Sequence, residues 1–218
     1  MSETTPDGRR PVETLREVKV GKKLDAAQVE LRLARTAIDR MRSAPDLTEF
    51  DLQWKEFLGR TTRVWNKTEA DLKGDPRFYN SPHVKRVKDA RKKDDLIQYV
   101  ARARDADEHT ADPITVEVPA GPEYTFNFGD GNFAKVRLPQ ITVDGKTFPL
   151  AVEGHSSETF APAEVFAMPV TVRKQTYPVP THHMDQPIGD LTLIRFAELA
   201  LAYYERFIED LRHDGWDQ

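Results

Sequence analysis

Apolar residues recur at alternating spacings of three and four along several stretches of the chain, a pattern that places them on one face of a helix. This spacing covers residues 24–41, 50–64 and 94–109. Residues 81–91 form a shorter basic segment with a proline at its second position, where the first turn of a helix accepts proline. Together these segments predict a helical bundle over residues 23–112.

Beyond Pro113 the apolar period changes to two, which is typical of a half-buried strand. The segments predicted as strands are 114–118, 124–128, 133–138, 141–148 and 164–179. The dipeptide Asp144-Gly145 favours a tight hairpin turn. Six prolines between positions 139 and 180 keep the strands short or at an edge. We therefore expect a small antiparallel sheet of about five strands within residues 113–187.

Helical spacing returns over residues 191–211, within a C-terminal segment delimited as residues 188–218. Asp190 is the expected N-cap of this helix, and Thr48 is the expected N-cap of the second helix. Because its apolar seam is continuous, the last helix needs a partner surface, and the N-terminal bundle is the expected one. The predicted fold class is α+β, a helical bundle with a small antiparallel β-sheet inserted before the C-terminal helix.

Composition and charge narrow the classes of protein that fit. The 218 residues are 39% apolar and 31% charged, which are ordinary values for a globular protein. Residues 1–22 show no sustained period and are expected to form a flexible N-terminal arm. The sequence has no apolar stretch typical of a signal peptide or membrane span, and no cysteine for disulfides or zinc thiolates. We expect a cytoplasmic protein without a membrane partner.

The charge is distributed unevenly along the chain. Residues 1–110 carry 24 Lys and Arg against 20 Asp and Glu, whereas residues 111–218 carry 8 against 16. A polyanion such as RNA would therefore meet the first half more readily. The excess of cations over acids in residues 1–110 is small, so this charge distribution also fits a protein that binds no nucleic acid.

The most specific set of reactive side chains lies near the end of the third long helix, where Arg104 and Asp105 are followed by His109. An arginine binds phosphate and stabilises the charge that develops on it, and a histidine transfers protons near neutral pH. The alternative is an arginine that pairs with neighbouring acids and a histidine that only favours the helix end.

Five residues turn an ideal helix by about 500°, so the side chains of Arg104 and His109 would point about 140° apart. They would meet if the helix unwinds in its last turn, toward Pro113. They would also meet if two copies of the segment face each other across a symmetric dimer.

Residues 96–110, LIQYVARARDADEHT, follow two amphipathic helices and resemble the HEPN superfamily of small helical bundles. The motif of that family is an arginine, a polar residue, and a histidine after four to six intervening positions, which Arg104, Asp105 and His109 match in type and order. The resemblance covers about residues 24–110 and extends to the returning helix at residues 190–212, while the predicted sheet lies outside it. It implies a metal-independent endoribonuclease with no cofactor. In such an enzyme Arg104 would bind the scissile phosphate and His109 would act as the general acid and base. Asp105 would orient both side chains.

Three acids lie within the motif, at Asp105, Asp107 and Glu108, and would repel an RNA backbone. This keeps open a second interpretation, a non-catalytic HEPN-like dimerisation or binding protein whose β-sheet recognises a partner. In both interpretations we expect a homodimer. The resemblance further implies a role in toxin–antitoxin systems or phage defence, and with it an antitoxin or another protein partner.

Six cations directly precede the motif helix and would guide an RNA backbone toward it. They are Lys85, Arg86, Lys88, Arg91, Lys92 and Lys93. The alternative is a solvated helix face. On the second helix a stacked arginine and tryptophan would hold a base, although aromatic residues at helical spacing more often belong to the core. The residues concerned are Trp54, Arg60, Arg63 and Trp65.

Adjacent histidines at His182 and His183, with Asp185 nearby and His155 earlier in the chain, are the metal-ligand candidates. They lie in a proline-rich segment without the helical spacing of zinc sites, so no metal site is predicted. The Gly-rich turn at residues 129–132 lacks the lysine and hydroxyl residue of a phosphate-binding loop.

Overall fold

The computed structural model describes residues 23–130, 132–137, 141–143, 146–148 and 153–217. The predicted arm at residues 1–22 lies outside the described residues, as do the turn residues Asp144 and Gly145. Within the described residues the fold is α+β, with five α-helices and small antiparallel sheets, as predicted.

The five helices follow the segments with helical spacing closely. They are α1 (Asp25–Arg42), α2 (Leu47–Leu72), α3 (Pro82–Lys93), α4 (Asp95–His109) and α5 (Leu193–His213). A short 3-10 turn at Phe78–Asn80 precedes α3, and Pro82 occupies the first turn of that helix as expected.

Two predicted N-caps are wrong by two residues. The N-cap of α2 is Asp46, whose Oδ1 accepts a hydrogen bond from the Glu49 N–H at 2.8 Å. At the start of α5 the Thr192 hydroxyl caps the helix by accepting from the Arg195 N–H at 3.3 Å, while Asp190 accepts from the Thr192 N–H. In both places two cap-forming residues lie close together, and the local backbone decides which one reaches the free N–H groups.

The core lies where α5 packs against α1 and α2, which is the partner surface that its apolar seam requires. Trp54 and Phe57 of α2 and Phe196 and Phe207 of α5 are completely buried there. Burial of aromatic side chains of this size supplies most of the driving force for such packing. Ion pairs that join α1 to its neighbours border the core. They are Arg60–Glu30, Arg35–Glu205 and Arg42–Glu198.

Between α4 and α5 the described residues form eleven short strands. They are β1 (Thr115–Val118), β2 (Gly121–Gly129), β3 (Asn132–Arg137), β4 (Ile141–Val143), β5 (Lys146–Phe148), β6 (Ser157–Ala161), β7 (Glu164–Ala167), β8 (Val170–Val172), β9 (Gln175–Tyr177), β10 (His182–His183) and β11 (Gln186–Pro187). Every pairing is antiparallel.

The expectation of one sheet of about five strands is wrong. In the described part of the chain β3, β2 and β6 form a three-stranded sheet, and the other strands pair two by two as β1–β7, β4–β5, β8–β9 and β10–β11. Prolines lie between four pairs of consecutive strands: Pro119 between β1 and β2, Pro162 between β6 and β7, Pro169 between β7 and β8, and Pro178 between β9 and β10. Because proline cannot donate to a ladder, each of them ends a strand before a larger sheet can form.

The strands attach to the bundle mainly through α4. The Tyr99 hydroxyl donates to the Met168 carbonyl at 2.7 Å, and burial raises the pKa of this tyrosine well above its ordinary value. Strand β1 is tied to α2, where the Thr115 hydroxyl bonds Asp51 Oδ1 at 2.6 Å. Strand β8, which follows Met168, therefore lies against the motif helix.

The start of α4 holds the β10–β11 hairpin through one carboxylate. Asp94, the N-cap of α4, accepts hydrogen bonds from the Ile97 N–H at 2.8 Å, the Met184 N–H at 2.6 Å and His183 Nδ1 at 3.0 Å. Burial alone would raise the pKa of Asp94, but these hydrogen bonds hold the pKa below its ordinary value.

We predict that Asp94→Asn lowers the free energy of unfolding by about 1–3 kcal/mol at pH 7, because it weakens three charge-assisted hydrogen bonds. The pKa of Asp94 is lower in the folded than in the unfolded protein. Its contribution is therefore complete above the unfolded value of about 3.9 and is lost as the pH falls through the lower folded value. Urea unfolding between pH 3 and pH 7 measures both effects.

The exposed neighbour Asp95 offers a matched control, and Asp95→Asn should cost at most a few tenths of that amount. An equal loss for Asp94→Asn at both ends of the pH range would contradict the assignment.

Candidate functional site

The three motif residues lie on one regular helix, and the helix does not unwind before it ends. Helix α4 continues to His109, and the Thr110 N–H still bonds the Ala106 carbonyl at 2.8 Å. Helix α4 therefore does not undergo the unwinding toward Pro113 that would bring Arg104 and His109 together. On a regular helix the side chains of Arg104 and His109 point about 140° apart, so one subunit does not bring them together on a common face.

Each acid of the motif faces a cation. Asp105 Oδ2 lies 3.2 Å from Arg102 Nη1, and its other oxygen lies 3.5 Å from Arg104 Nη1. Glu108 pairs with Arg104 through the second guanidinium nitrogen. Ion pairs this exposed add little stability, but they offset the negative charge that would repel a phosphate.

The third acid, Asp107, points toward α2. Its Oδ1 lies 3.5 Å from Lys55 Nζ, which also lies 2.9 Å from Asp51 Oδ2. The two carboxylates raise the pKa of Lys55, chiefly through the hydrogen bond to Asp51. This acid is therefore directed toward α2, away from the side of α4 that carries Asp105 and His109.

His109 is exposed, and no hydrogen bond or ion pair joins it to another residue within the described ranges. Asp105 precedes it by four positions and Arg102 by seven, so all three side chains follow one stripe of α4. Seven residues are almost two turns, which separates Arg102 from His109 by about 10 Å along the helix axis. The arginine on the same face as His109 is thus Arg102. The motif of the HEPN superfamily does not include this residue, although its spacing of seven positions from His109 can be read from the sequence.

A basic cleft opens beside this stripe, between α2, α3 and α4. Its volume is about 400 Å³. The lining residues are Trp65, Glu69, Lys88, Arg91, Lys92, Ala101 and Arg102. Four cations against one acid make this cleft a site for an anionic group.

Aromatic rings and hydroxyls hold the cations of the basic cleft in place. The guanidinium of Arg102 lies 5.3 Å from the ring centre of Tyr177, and Lys88 Nζ lies 4.2 Å from that of Tyr79. Arg91 donates to the Tyr204 hydroxyl at 3.0 Å. The buried Nε of Arg102 has no hydrogen-bond partner within the described residues. These contacts order the arginines before any ligand arrives, which lowers the entropic cost of binding.

The six cations predicted to bind RNA do not lie on one common surface. Lys88, Arg91 and Lys92 line the basic cleft. Lys85 and Lys93 are exposed on α3 and are not part of the cleft lining. Arg86 is turned the other way and pairs with Asp210 of α5.

The tryptophans of α2 belong to the core. Trp54 is completely buried and Trp65 is 7% exposed, with its ring 6.1 Å from that of Phe207. Arg60 is held by Glu30 and Glu56. The core interpretation therefore fits these residues better than base stacking.

The histidines considered as metal ligands do not converge. His183 pairs with Asp94, His182 Nδ1 lies 3.0 Å from the Thr181 hydroxyl, and His155 packs edge-on against Tyr124. In the part of the chain that the structure describes, no three histidine or carboxylate side chains come close enough together to hold a metal ion.

Comparison of the chain with protein-family models, with curated proteins and with solved structures found no match. Among the described residues, every helix is too short or too polar to span a lipid bilayer. The HEPN resemblance therefore rests on the residues of α4 and on the helices that precede it.

We predict that Arg102→Gln weakens binding of a single-stranded RNA oligonucleotide and reduces the slope of log affinity against log salt by about 0.7–1, because one phosphate contact is lost. Fluorescence anisotropy at several salt concentrations measures both quantities. Arg32→Gln, which removes an exposed arginine of α1, is the matched control and should leave the slope unchanged. Equal effects of the two substitutions would show that RNA does not use the basic cleft.

Proposed function

We propose that this protein is a metal-independent endoribonuclease of the HEPN type. The observation that carries the proposal is the arrangement of charge on α4, where cations offset all three motif acids and His109 stays exposed beside them. This pairing reduces the repulsion between the motif acids and an RNA backbone. The basic cleft, which opens on the side of α4 that carries Arg102 and His109, supplies cations for the neighbouring phosphates.

The chemistry needs only groups that α4 and the RNA provide. His109 takes the proton of a ribose 2′-hydroxyl, and the 2′-oxygen attacks the adjacent phosphorus while the bond to the 5′-oxygen breaks. His109, now protonated, returns this proton to the departing 5′-oxygen, which leaves a 2′,3′-cyclic phosphate and a free 5′-hydroxyl. Arg104 stabilises the charge on the phosphate, exchanging its contact with Glu108 for one with the substrate. Asp105 keeps the guanidinium in place.

The active form is a symmetric homodimer. Within one subunit the side chains of Arg104 and His109 point about 140° apart, so a single copy cannot direct both at the same phosphate. Two copies of α4 related by a two-fold axis would place His109 of one subunit near Arg104 of its partner. The site would then exist twice, once for each pairing.

We predict that His109→Ala slows cleavage of RNA by about 10²–10⁴-fold in the presence of EDTA, since general acid–base catalysis contributes about that much. Arg104→Ala should slow it by about 10²–10³-fold, the usual effect of removing one group that stabilises the transition state. Gel electrophoresis of an end-labelled RNA measures the rate, and its products should carry 2′,3′-cyclic phosphate ends.

His213→Ala removes an exposed histidine from the last turn of α5 and should leave the rate unchanged. Cleavage that persists in both motif variants would remove the motif from the mechanism. Cleavage that stops when EDTA is added would contradict the metal-independent mechanism.

A mixing experiment tests the composite site. The Arg104→Ala and His109→Ala variants are each expected to be inactive, but a heterodimer of the two retains one complete site. After subunit exchange of an equal mixture, half of the dimers are mixed, so the activity should return to about a quarter of the wild-type value. A mixture as inactive as its components would place both residues of each site in one subunit.

A second candidate is a non-catalytic binding protein whose strands recognise a protein partner. The observation that favours it is the exposure of two large apolar side chains on the β3–β2–β6 sheet, Phe128 at 71% and Phe160 at 69%. Wild-type protein that binds RNA or dimerises but cleaves no RNA would support this candidate. Roles in phage defence or as a toxin, with a cognate antitoxin, belong to the first candidate by family resemblance.

A further inference from the structure

A second cavity, of about 360 Å³, lies beside α5. Unlike the apolar core next to it, this cavity is lined in part by charged and polar side chains. Its charged and polar walls come from Arg86 of α3, His183 of the β10–β11 hairpin, and Arg206 of α5. Its apolar walls come from Leu199, Tyr203 and Met184. A volume of this size lies at the lower end of the range for small-molecule sites, roughly 300–1,000 Å³.

The histidine of this cavity is fixed in one tautomer. Asp94 is 8% exposed, and the hydrogen bonds it receives favour its ionised form, so it can only accept. The Nδ1 atom of His183, 3.0 Å from Asp94 Oδ1, must therefore carry a proton. In the neutral ring Nε2 is then an unprotonated acceptor, and it lies on the edge of the ring that Asp94 does not cover.

The ring position is fixed as well. His183 packs edge-on against Tyr203 with ring centres 5.8 Å apart, and the hydroxyl of Tyr203 donates to the Arg86 carbonyl at 3.3 Å. A carboxylate-oriented imidazole with both its tautomer and its direction set is the arrangement by which proteins present a histidine nitrogen to a ligand.

The two arginines give the cavity its preference for an anion. Arg206 is exposed and forms no hydrogen bond or close ion pair with any residue that the structure describes, although its charge helps to lower the pKa of Asp210. Arg86 uses one guanidinium nitrogen for Asp210 and has further N–H groups to offer. A guanidinium fork matches phosphate and carboxylate oxygens alike.

We propose that this cavity binds a small molecule that carries a phosphate monoester on an apolar or aromatic body. The arginines would hold the phosphate oxygens, and the apolar walls would cover the body. The site favours phosphate over carboxylate, because a phosphate monoester carries about −1.5 to −2 charge and three acceptor oxygens at pH 7, whereas a carboxylate carries one charge and two oxygens. One proton joins Nε2 of His183 to a phosphate oxygen, whether the ring or the phosphate carries it. The site lies at the N-terminal end of α4, and His109 lies at the other end, about 20 Å away along the helix axis. It is therefore separate from the ribonuclease site and does not depend on it.

Phenyl phosphate is the probe, with inorganic phosphate, phenol and benzoate as comparison ligands. Isothermal titration of the full-length protein should show one saturable site for phenyl phosphate and affinities at least about tenfold weaker for the other three, since each lacks one group that the cavity contacts. Histidine-selective ¹⁵N NMR should show the Nε2 signal of His183 shifting as phenyl phosphate is added.

Substitutions separate binding from folding. In His183→Asn the amide nitrogen takes the place of Nδ1 and keeps the hydrogen bond to Asp94, while Nε2 is lost. This variant and Arg206→Gln should each weaken binding about tenfold or more, because each loses a charged or charge-assisted hydrogen bond. His182→Asn alters the exposed neighbouring histidine and should change the affinity less than about twofold, as is usual for a surface residue that touches no ligand.

Three results would overturn the proposal. The first is wild-type protein with no saturable phenyl phosphate site at millimolar concentration. The second is binding that survives both His183→Asn and Arg206→Gln. The third is benzoate binding as tightly as phenyl phosphate. RNA cleavage measured on the same variants should remain at the wild-type rate, so failure at one site is distinguishable from failure at the other.

Discussion

The structure depends on the way α4 is held at both of its ends and along its buried face. Its apolar side is packed into the core, its first turn is fixed by Asp94, and Tyr99 in its N-terminal half is fastened to the strands through the Met168 carbonyl. Near its C-terminal end, Asp107 pairs with Lys55 of α2. The outer face of the same helix carries the charged stripe of Arg102, Asp105 and His109. A rigid helix keeps these side chains at fixed spacings, so the positions of the basic cleft and of the motif relative to each other follow from the packing beneath them.

The helices could be predicted from the sequence because their apolar faces extend over many turns, and a repeat of three and four is hard to produce by chance. The strands could be predicted only in part. Residues 157–161 form β6 although their composition, Ser-Glu-Thr-Phe-Ala, has little apolar alternation. They pair because β2 offers a free edge there, and the choice of partner is a tertiary property that a single segment does not encode.

The candidate sites, like the secondary structure, could be predicted from the sequence only in part. The residue types of the motif and the basic segment before it were visible in the sequence, but their neighbours in space were not. The sequence placed Arg86 among the RNA-binding cations, whereas the packing of α3 against α5 directs it to Asp210 and to a different cavity. Likewise, Lys55 of α2 pairs with Asp107 of α4, and no pattern in the local sequence predicts this contact.

The position of α5 at the end of the described chain has a consequence for biosynthesis. Arg35 and Glu205 meet although they are 170 positions apart in the sequence, so α1 and α2 cannot complete their core until α5 has been made. At roughly 5–20 residues per second, the ribosome needs several seconds to translate the strand region, and the apolar faces of the first helices stay uncovered during that time. Chains that end within the strands would keep those faces exposed permanently, which makes premature termination products of this protein prone to aggregate and to engage chaperones.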